Sequence, residues 1–235
     1  MAEIEKASLS GAELTALIEL YGKALDSRRP DSMLSDRDAD QALQRLGYDF
    51  GALRLRRRDQ KSAAVRAKAY DRCVQHFLGA HRECVVLHLG CGLENRVYRV
   101  NPPSTVDWYD IDLPDVIGLR RRLLPPRAGL HSIAASVTDR RLLDTIPGDK
   151  PVLVIAEGLT PYLRAADDGH VLGAAAARMF ANRDQRDRRR PGDARRRHPR
   201  RDLGIDRHDS PSRTGALAQP VLAPSSAPLC LEFVT

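Results

Sequence analysis

The chain has 235 residues, 42% of them hydrophobic, which is enough for one sizeable core and long for two. Its formal charge of +7 is local: 13 arginines stand against 6 acids between Arg178 and Arg213, and the 25 basic and 25 acidic residues elsewhere cancel, so composition gives no support to a basic binding face on the folded part. No run of eighteen uncharged apolar residues occurs, the start MAEIEKASLSGAEL lacks the basic and apolar regions of a signal peptide, and Cys73, Cys84, Cys91 and Cys230 form no CxxC or Cys/His spacing; a soluble cytoplasmic protein with reduced thiols, no membrane contact and no zinc site is expected.

Along the chain, AELTALIELYGKALD (12–26) places Leu14, Leu17, Ile18, Tyr21 and Leu25 at the spacing of an amphipathic helix. A second helix is predicted from Ser62 to about Leu78, with Gly79 as its stop signal. The stretch between them reads as loop and short helix, with the Arg54–Arg58 cluster as solvated surface. From there strand-like runs at 84–89, 105–111, 130–134 and 152–156 alternate with helical runs at 113–124 and 138–146. Such a βαβ pattern implies a mostly parallel sheet with helices on both faces and ligands at the carboxyl ends of the strands.

The first of those strand ends reads VVLHLGCGLENRVYRV. Gly90 and Gly92 allow a tight turn and close approach of backbone to a ligand, and the following helix start offers unpaired N–H groups, so a nucleotide-like ligand is the natural candidate against the alternative of a turn selected for packing. The second strand run, STVDWYDIDLP, ends in Asp110 and Asp112; Asp112 lies 22 residues beyond Gly90, the spacing at which a carboxylate reaches both ribose hydroxyls of a nucleoside. Asp110 reads as a capping or surface acid. A dinucleotide fingerprint needs a third glycine at position 95, where the chain has Asn95, which disfavours NAD and favours a methyl donor without a pyrophosphate.

Four segments in order, VVLHLGCGLENRVYRV, VDWYDIDLPDVIGLRRRLLP, SIAASVTDRRLLDTIP and VLVIAEGLTPYL, resemble the leucine carboxyl methyltransferase superfamily, and in particular its bacterial tetracenomycin-type polyketide O-methyltransferase branch. The resemblance runs from about Glu13 to Ala177. It implies an α/β fold, the doubly wound Rossmann-like sheet of class I methyltransferases, with an N-terminal helical cap (1–80), an S-adenosylmethionine-binding core (81–180) and an atypical Arg/Pro-rich tail (181–235). By position it implies that Arg66 pairs with the cofactor carboxylate, Gly90 lies under the cofactor, Asp112 holds the ribose, Ser136 and Val137 flank the adenine, and Glu157 is an acid near the cofactor. A guanidinium suits the carboxylate because it grips it through two parallel hydrogen bonds. The implied activity is O-methylation of a carboxylate or hydroxyl on a small polyketide-like acceptor; an ionised carboxylate needs no base, and no residue is assigned as one.

Other prominent residues read as structural. His88 is a core histidine, core packing accounts for at least one of Trp108 and Tyr109, and Cys91 has no neighbour predicted to activate it. Tyr162 and His170 fall where the family builds its substrate pocket or are structural. The family's strands after the fourth are missing from the pattern: 181–220 has no aromatic residue, too little apolar content for a packed core, and only PLCLEFVT beyond it reads as a strand. The fourth strand is therefore expected to present an open edge. Three readings of the tail stay open: an arm that binds nucleic acid or an acidic partner on a catalytically inactive protein, a segment without a role, and, favoured, the product of a reading-frame slip near Arg178.

Overall fold

The computed structural model describes residues 12–50, 57–139, 141–147, 149–159 and 230–233. Three helices come first: α1 (Ala12–Ser27), α2 (Arg37–Gln44) and α3 (Arg57–Ala80), the last running one residue past its expected stop at Gly79 and starting earlier than Ser62. They are followed by β1 (Val85–Leu89), α4 (Arg96–Val100), β2 (Asp107–Asp112), α5 (Pro114–Leu123), β3 (Leu130–Ala134), a 3-10 turn (Leu142–Thr145), β4 (Val152–Ala156) and β5 (Cys230–Phe233).

The strands form one sheet in the order β3-β2-β1-β4-β5. The first four are parallel, with Val85 beside Asp107 and Val152 and Leu89 beside Ile111 and Ala156. β1 and β4 are buried along their whole length, which explains their unbroken apolar runs: a central parallel strand is covered on both faces. Val85, Leu87, Leu89, Ile111, Val152 and Val154 pack on one face with Leu142 and Ile146. Val86, Trp108, Leu153 and Ile155 pack on the other with Tyr70, Val74 and Phe77 of α3 and Val97 of α4. A third cluster joins Leu17, Leu20 and Ala24 of α1 to Ala39, Ala42 and Leu43 of α2 and to Leu119 and Leu123 of α5, so the N-terminal helices are part of one body with the sheet.

Local signals fix several ends. Asp36 caps α2 by accepting from Ala39 N at 2.9 Å, Pro114 stands in the first turn of α5, and Asn101 closes α4 in the left-handed region at φ 46°.

Three expectations are corrected. The helix expected over 138–146 is a single 3-10 turn: Asp139 Oδ1 takes the N–H of Arg141, and Pro147 disfavours a helical conformation at Ile146. Asp110 is fully buried instead of capping or facing solvent, because β2 lies between β1 and β3 and both its faces are covered. The edge of β4 is not open: β5 pairs with it antiparallel, Val152 beside Phe233 and Ile155 beside Cys230, within the one tail segment that reads as a strand. The expectations for 160–229, including Tyr162, His170 and the arginine-rich stretch, and most of the Arg54–Arg58 cluster lie outside the described residues.

Candidate functional site

A cavity of about 380 Å³ opens over the carboxyl ends of β1 to β4, roofed by α1 and α3. All six residues expected at a ligand, Arg66, Gly90, Asp112, Ser136, Val137 and Glu157, line it. The switch in strand order between β1 and β4 creates the crevice, as expected for a parallel sheet whose first strand is central.

At its middle the chain leaves β1 through Gly90 (φ +61°) and Gly92 (φ +52°), both in the left-handed region that glycine enters without strain. A side-chain carbon at Gly90 meets Leu159 Cδ1 at 2.9 Å, so the turn keeps the floor of the cavity low. Asp112 stands beside it: its Oδ2 accepts from Gly92 N and its Oδ1 from Leu113 N, each at 2.7 Å. Burial raises the Asp112 pKa despite those two N–H groups.

One end of the cavity is charged. Arg66 of α3 donates through Nε to Glu157 Oε1 at 2.9 Å and through Nη2 to Glu19 of α1. Lys23, one turn along α1 from Glu19, pairs with Glu94. Burial opposes ionisation of Glu157, but the charges of Lys23 and Arg96 outweigh it and hold the carboxyl down to about 2. Behind this end, Arg96 reaches Asp71 at 3.0 Å and also Glu157, and Arg99 reaches Asp36 at 2.5 Å, Asp71 at 2.9 Å and Glu94 at 2.5 Å. This web of buried, mutually paired charges links α2, α3 and α4 to the end of β4, and it holds Glu94 and Glu157 in their ionised form.

Under the glycine turn lies a second buried group. Arg120 of α5 donates to Asp110 at 3.0 Å through Nε and 2.5 Å through Nη2, and its Nη1 reaches the carbonyls of Gly92 and Glu94 at 3.3 and 2.6 Å. Trp108 Nε1 also donates to Asp110, at 2.9 Å. His88 lines the cavity but has Nδ1 3.2 Å from Asp110 and Nε2 3.2 Å from Arg96; burial holds its pKa down, so it is a neutral ring donating to Asp110. Burial likewise pushes the Cys91 thiol well above its usual value, leaving it unreactive in a glycine turn.

The other end is neutral. Leu113, Val116, Ala135 and Val137 supply apolar surface there, and the Ser136 hydroxyl lies 2.8 Å from Thr138 Oγ1 and accepts from Thr138 N at 3.2 Å. Ser136 is therefore held by its own turn, with its hydroxyl shared.

Glu19, Lys23 and Glu94 line the cavity and were not singled out from sequence. The signal for the first two is their i, i+4 spacing on the flank of the α1 apolar stripe, which also fits a solvent-exposed ion pair. Among the described residues, no group of three or more His, Cys, Asp and Glu side chains is arranged to hold a metal ion, and no helix is long and apolar enough to cross a membrane.

The same region is what known proteins share. The tetracenomycin polyketide synthesis O-methyltransferase of Streptomyces glaucescens is 46% identical over 168 residues, 72% of this chain and 62% of the relative. An S-adenosyl-L-methionine-dependent methyltransferase of Gibberella zeae is 35% identical over 173 residues, 67% of this chain and 58% of the relative. The chain thus spans about six tenths of the length of these curated relatives. A family profile described as leucine carboxyl methyltransferase matches residues 16–176, from the first turns of α1 to the threshold of the arginine-rich stretch, and the match takes in every residue named above as lining the cavity. By fold, by the composition of its strand ends and by this match, the chain belongs to the leucine carboxyl methyltransferase family.

Proposed function

We propose that the chain is a cytoplasmic S-adenosylmethionine-dependent O-methyltransferase that acts on a carboxylate or hydroxyl of a small polyketide-like acceptor. The observation that carries this reading is the chemical division of the cavity: charges at the β4 end, a glycine turn and a single carboxylate at the centre, and an apolar, hydroxyl-bearing surface at the β3 end. A ligand that is an amino acid at one end, a ribose in the middle and an uncharged aromatic base at the other has the same sequence of chemistries. The Gibberella zeae relative is named for S-adenosyl-L-methionine, which supports this ligand.

In this reading Arg66 takes the ligand carboxylate, Gly90 leaves room for the thioether chain, Asp112 accepts from the ribose hydroxyls, and Val137 with Ser136 borders the base. Glu157, ionised to about pH 2 and held by Arg66 and Arg96, anchors the charged end. Residues 1–80 act as a cap, since Glu19, Lys23 and Arg66 reach over the core from α1 and α3. When bound, the cofactor supplies a methyl group on a sulfonium sulfur, passed in line to an acceptor oxygen with the bonding pair left on sulfur. Both nitrogens of His88 are occupied, so His88 is not free to act as a base; the residues at hand align the acceptor, and an ionised carboxylate acceptor requires no base.

A calorimetric titration of the full chain with S-adenosylmethionine, with NAD as control ligand, tests the reading. Saturable binding of the first and not the second, lost in Asp112→Ala and Gly90→Val, is expected. A soluble, cooperatively unfolding protein that binds neither would sink it.

A further inference from the structure

The glycine turn is tied down on two sides. Cys91 N donates to Ile111 O at 3.1 Å and Gly92 N to Asp112 Oδ2 at 2.7 Å, both at the end of β2. From α5, Arg120 brings a single nitrogen, Nη1, to the carbonyls of Gly92 at 3.3 Å and Glu94 at 2.6 Å. The two peptide groups that meet at Gly92 are thus pinned separately, one through its N–H by Asp112 and the other through its carbonyl by Arg120, which fixes both backbone angles of a residue standing at φ +52°. Glycine loses more conformational freedom on ordering than any other residue, so a turn through Gly90 and Gly92 needs such ties if it is to meet a ligand already shaped.

Arg120 is itself held in place. Its Nε and Nη2 donate to Asp110 Oδ2 at 3.0 and 2.5 Å, and Asp110 Oδ1 accepts from Trp108 Nε1 at 2.9 Å and from His88 Nδ1 at 3.2 Å. Both members of the pair are buried, and Arg120 lies outside the lining of the cavity. A buried ion pair is often no more stabilising than well-packed apolar side chains of the same volume, so stability alone does not account for this one. What apolar side chains cannot supply is a donor to the two carbonyls of the turn.

We infer that Arg120 is a positioning residue: from beneath the cavity floor it holds the Gly92–Glu94 backbone so that the Gly92 N–H keeps Asp112 in the orientation that meets the ligand. The inference rests on the reading of the cavity as a site for S-adenosylmethionine, and it adds a residue that sets affinity without touching the ligand.

The test is a cycle of Arg120→Lys, Asp112→Asn and the double variant in the full-length protein, titrated calorimetrically with S-adenosylhomocysteine. Lysine keeps a cation for Asp110 but offers one nitrogen where the guanidinium offers three, so it cannot hold Asp110 and both carbonyls together. Arg120→Lys is expected to weaken the ligand roughly fivefold or more when Asp112 is intact and by less than about twofold when it is asparagine, because the loss acts through that carboxylate. In the ligand-free protein, hydrogen exchange at the Gly92 amide is expected to quicken about tenfold or more in Arg120→Lys, with the β1 amides as reference. Gly129→Ala, strained away from the cavity, is the control for stability, with earlier melting and unchanged affinity. If Arg120→Lys behaves in the same way, Arg120 is a structural ion pair and the inference is overturned. Equal losses in both Asp112 backgrounds would overturn it too, by showing that Arg120 acts elsewhere. Should Arg120→Lys not fold, Asp110→Asn, which loosens the guanidinium while leaving it in place, enters the same cycle with the same deciding outcomes. Failure of the unaltered protein to bind S-adenosylhomocysteine is a different result: it removes the reading of the cavity and the ligand role with it, whereas exchange at Gly92 still reports whether Arg120 fixes the turn.

Discussion

The backbone N–H of Gly92 donates to Asp112 Oδ2 at 2.7 Å across 20 residues of sequence, fastening the end of β2 to the turn that follows β1. The carboxylate takes a second N–H from Leu113 at the same distance, so it is oriented before any ligand arrives. Asp112→Asn replaces one of these acceptors by an NH2 group that meets a donor. Affinity for S-adenosylhomocysteine is expected to fall by roughly tenfold to a hundredfold, with a stability loss of about 1–3 kcal/mol. Calorimetry beside thermal melts separates the two effects, and an undiminished affinity in the variant rules out Asp112 as the ribose acceptor.

The same carboxylate sets a pH dependence. Burial raises the Asp112 pKa above its ordinary 3.8, and only the ionised form accepts well from two ribose hydroxyls. Ligand binding therefore favours the deprotonated state, and affinity is lost as pH falls through the raised value. Glu157 stays ionised down to about 2 and adds nothing in that window. Titrations between neutral pH and the onset of acid unfolding are expected to show the decline in the unaltered protein and a flat profile in Asp112→Asn; a decline of equal size in both would assign it to another group.

The Asp110 pKa is displaced the opposite way, downward. Burial alone raises the Asp110 pKa, but Arg120, His88 and Trp108 together bring it to about 2. Its folded value is below the unfolded one, so this stabilisation is present above about pH 4 and is lost as pH falls toward 2, on the order of 2 kcal/mol in all. Arg120→Met leaves Asp110 buried without its cation and is expected to cost about 3–5 kcal/mol. Denaturant unfolding at neutral pH measures that loss. A change below about 1 kcal/mol would show that water or rearrangement compensates the acid.

The glycines offer a graded test of backbone geometry. Gly79 lies within α3 and an added methyl meets nothing within 4 Å, so Gly79→Ala is expected to stabilise by about 0.5–1 kcal/mol. Gly129 has φ +76°, and an added Cβ lies 2.6 Å from the Val106 carbonyl oxygen; Gly129→Ala is expected to destabilise by more than about 1 kcal/mol while leaving ligand affinity alone. Gly90→Ala is expected both to destabilise and to weaken ligand binding, because its Cβ enters the cavity floor beside Leu159. Thermal melts and calorimetry on the three variants distinguish a strained turn from a filled site.

What could be read from the sequence follows from what is periodic. β4 ends where its apolar run ends and β1 within a residue of it, because central strands buried on both faces are nearly continuous in apolar residues. Gly90 and Asp112 were legible because a turn at a strand end and an acid at the next one are local in sequence. Arg96 and Lys23 were not: a charged residue on a short or amphipathic helix reads as solvated, and only the fold brings Glu94, Asp71 and Glu157 close enough to pair with it. Asp110 was misread for a different reason: two residues from Asp112 it shares that residue's face, and in a strand with neighbours on both sides that face is covered. The 3-10 turn at Leu142–Thr145 shows the limit of periodicity over short spans: nine residues fitted a helix, but side-chain caps at Asp139 and the proline at 147 left room for one turn.

The position of β5 has a consequence for the order in which the protein is made. The strands β1 to β4 and all the described residues of the cavity lie between residues 15 and 159, whereas β5 begins at Cys230. A nascent chain emerges from its N-terminus, so α1, the glycine turn, Asp112 and Glu157 are all outside the ribosome while the strand that covers β4 is still unsynthesised. Until Cys230–Phe233 arrives and pairs antiparallel, β4 presents its free N–H and C=O groups to whatever is near. The ligand pocket is thus the early product of translation, and protection of the sheet edge is the last.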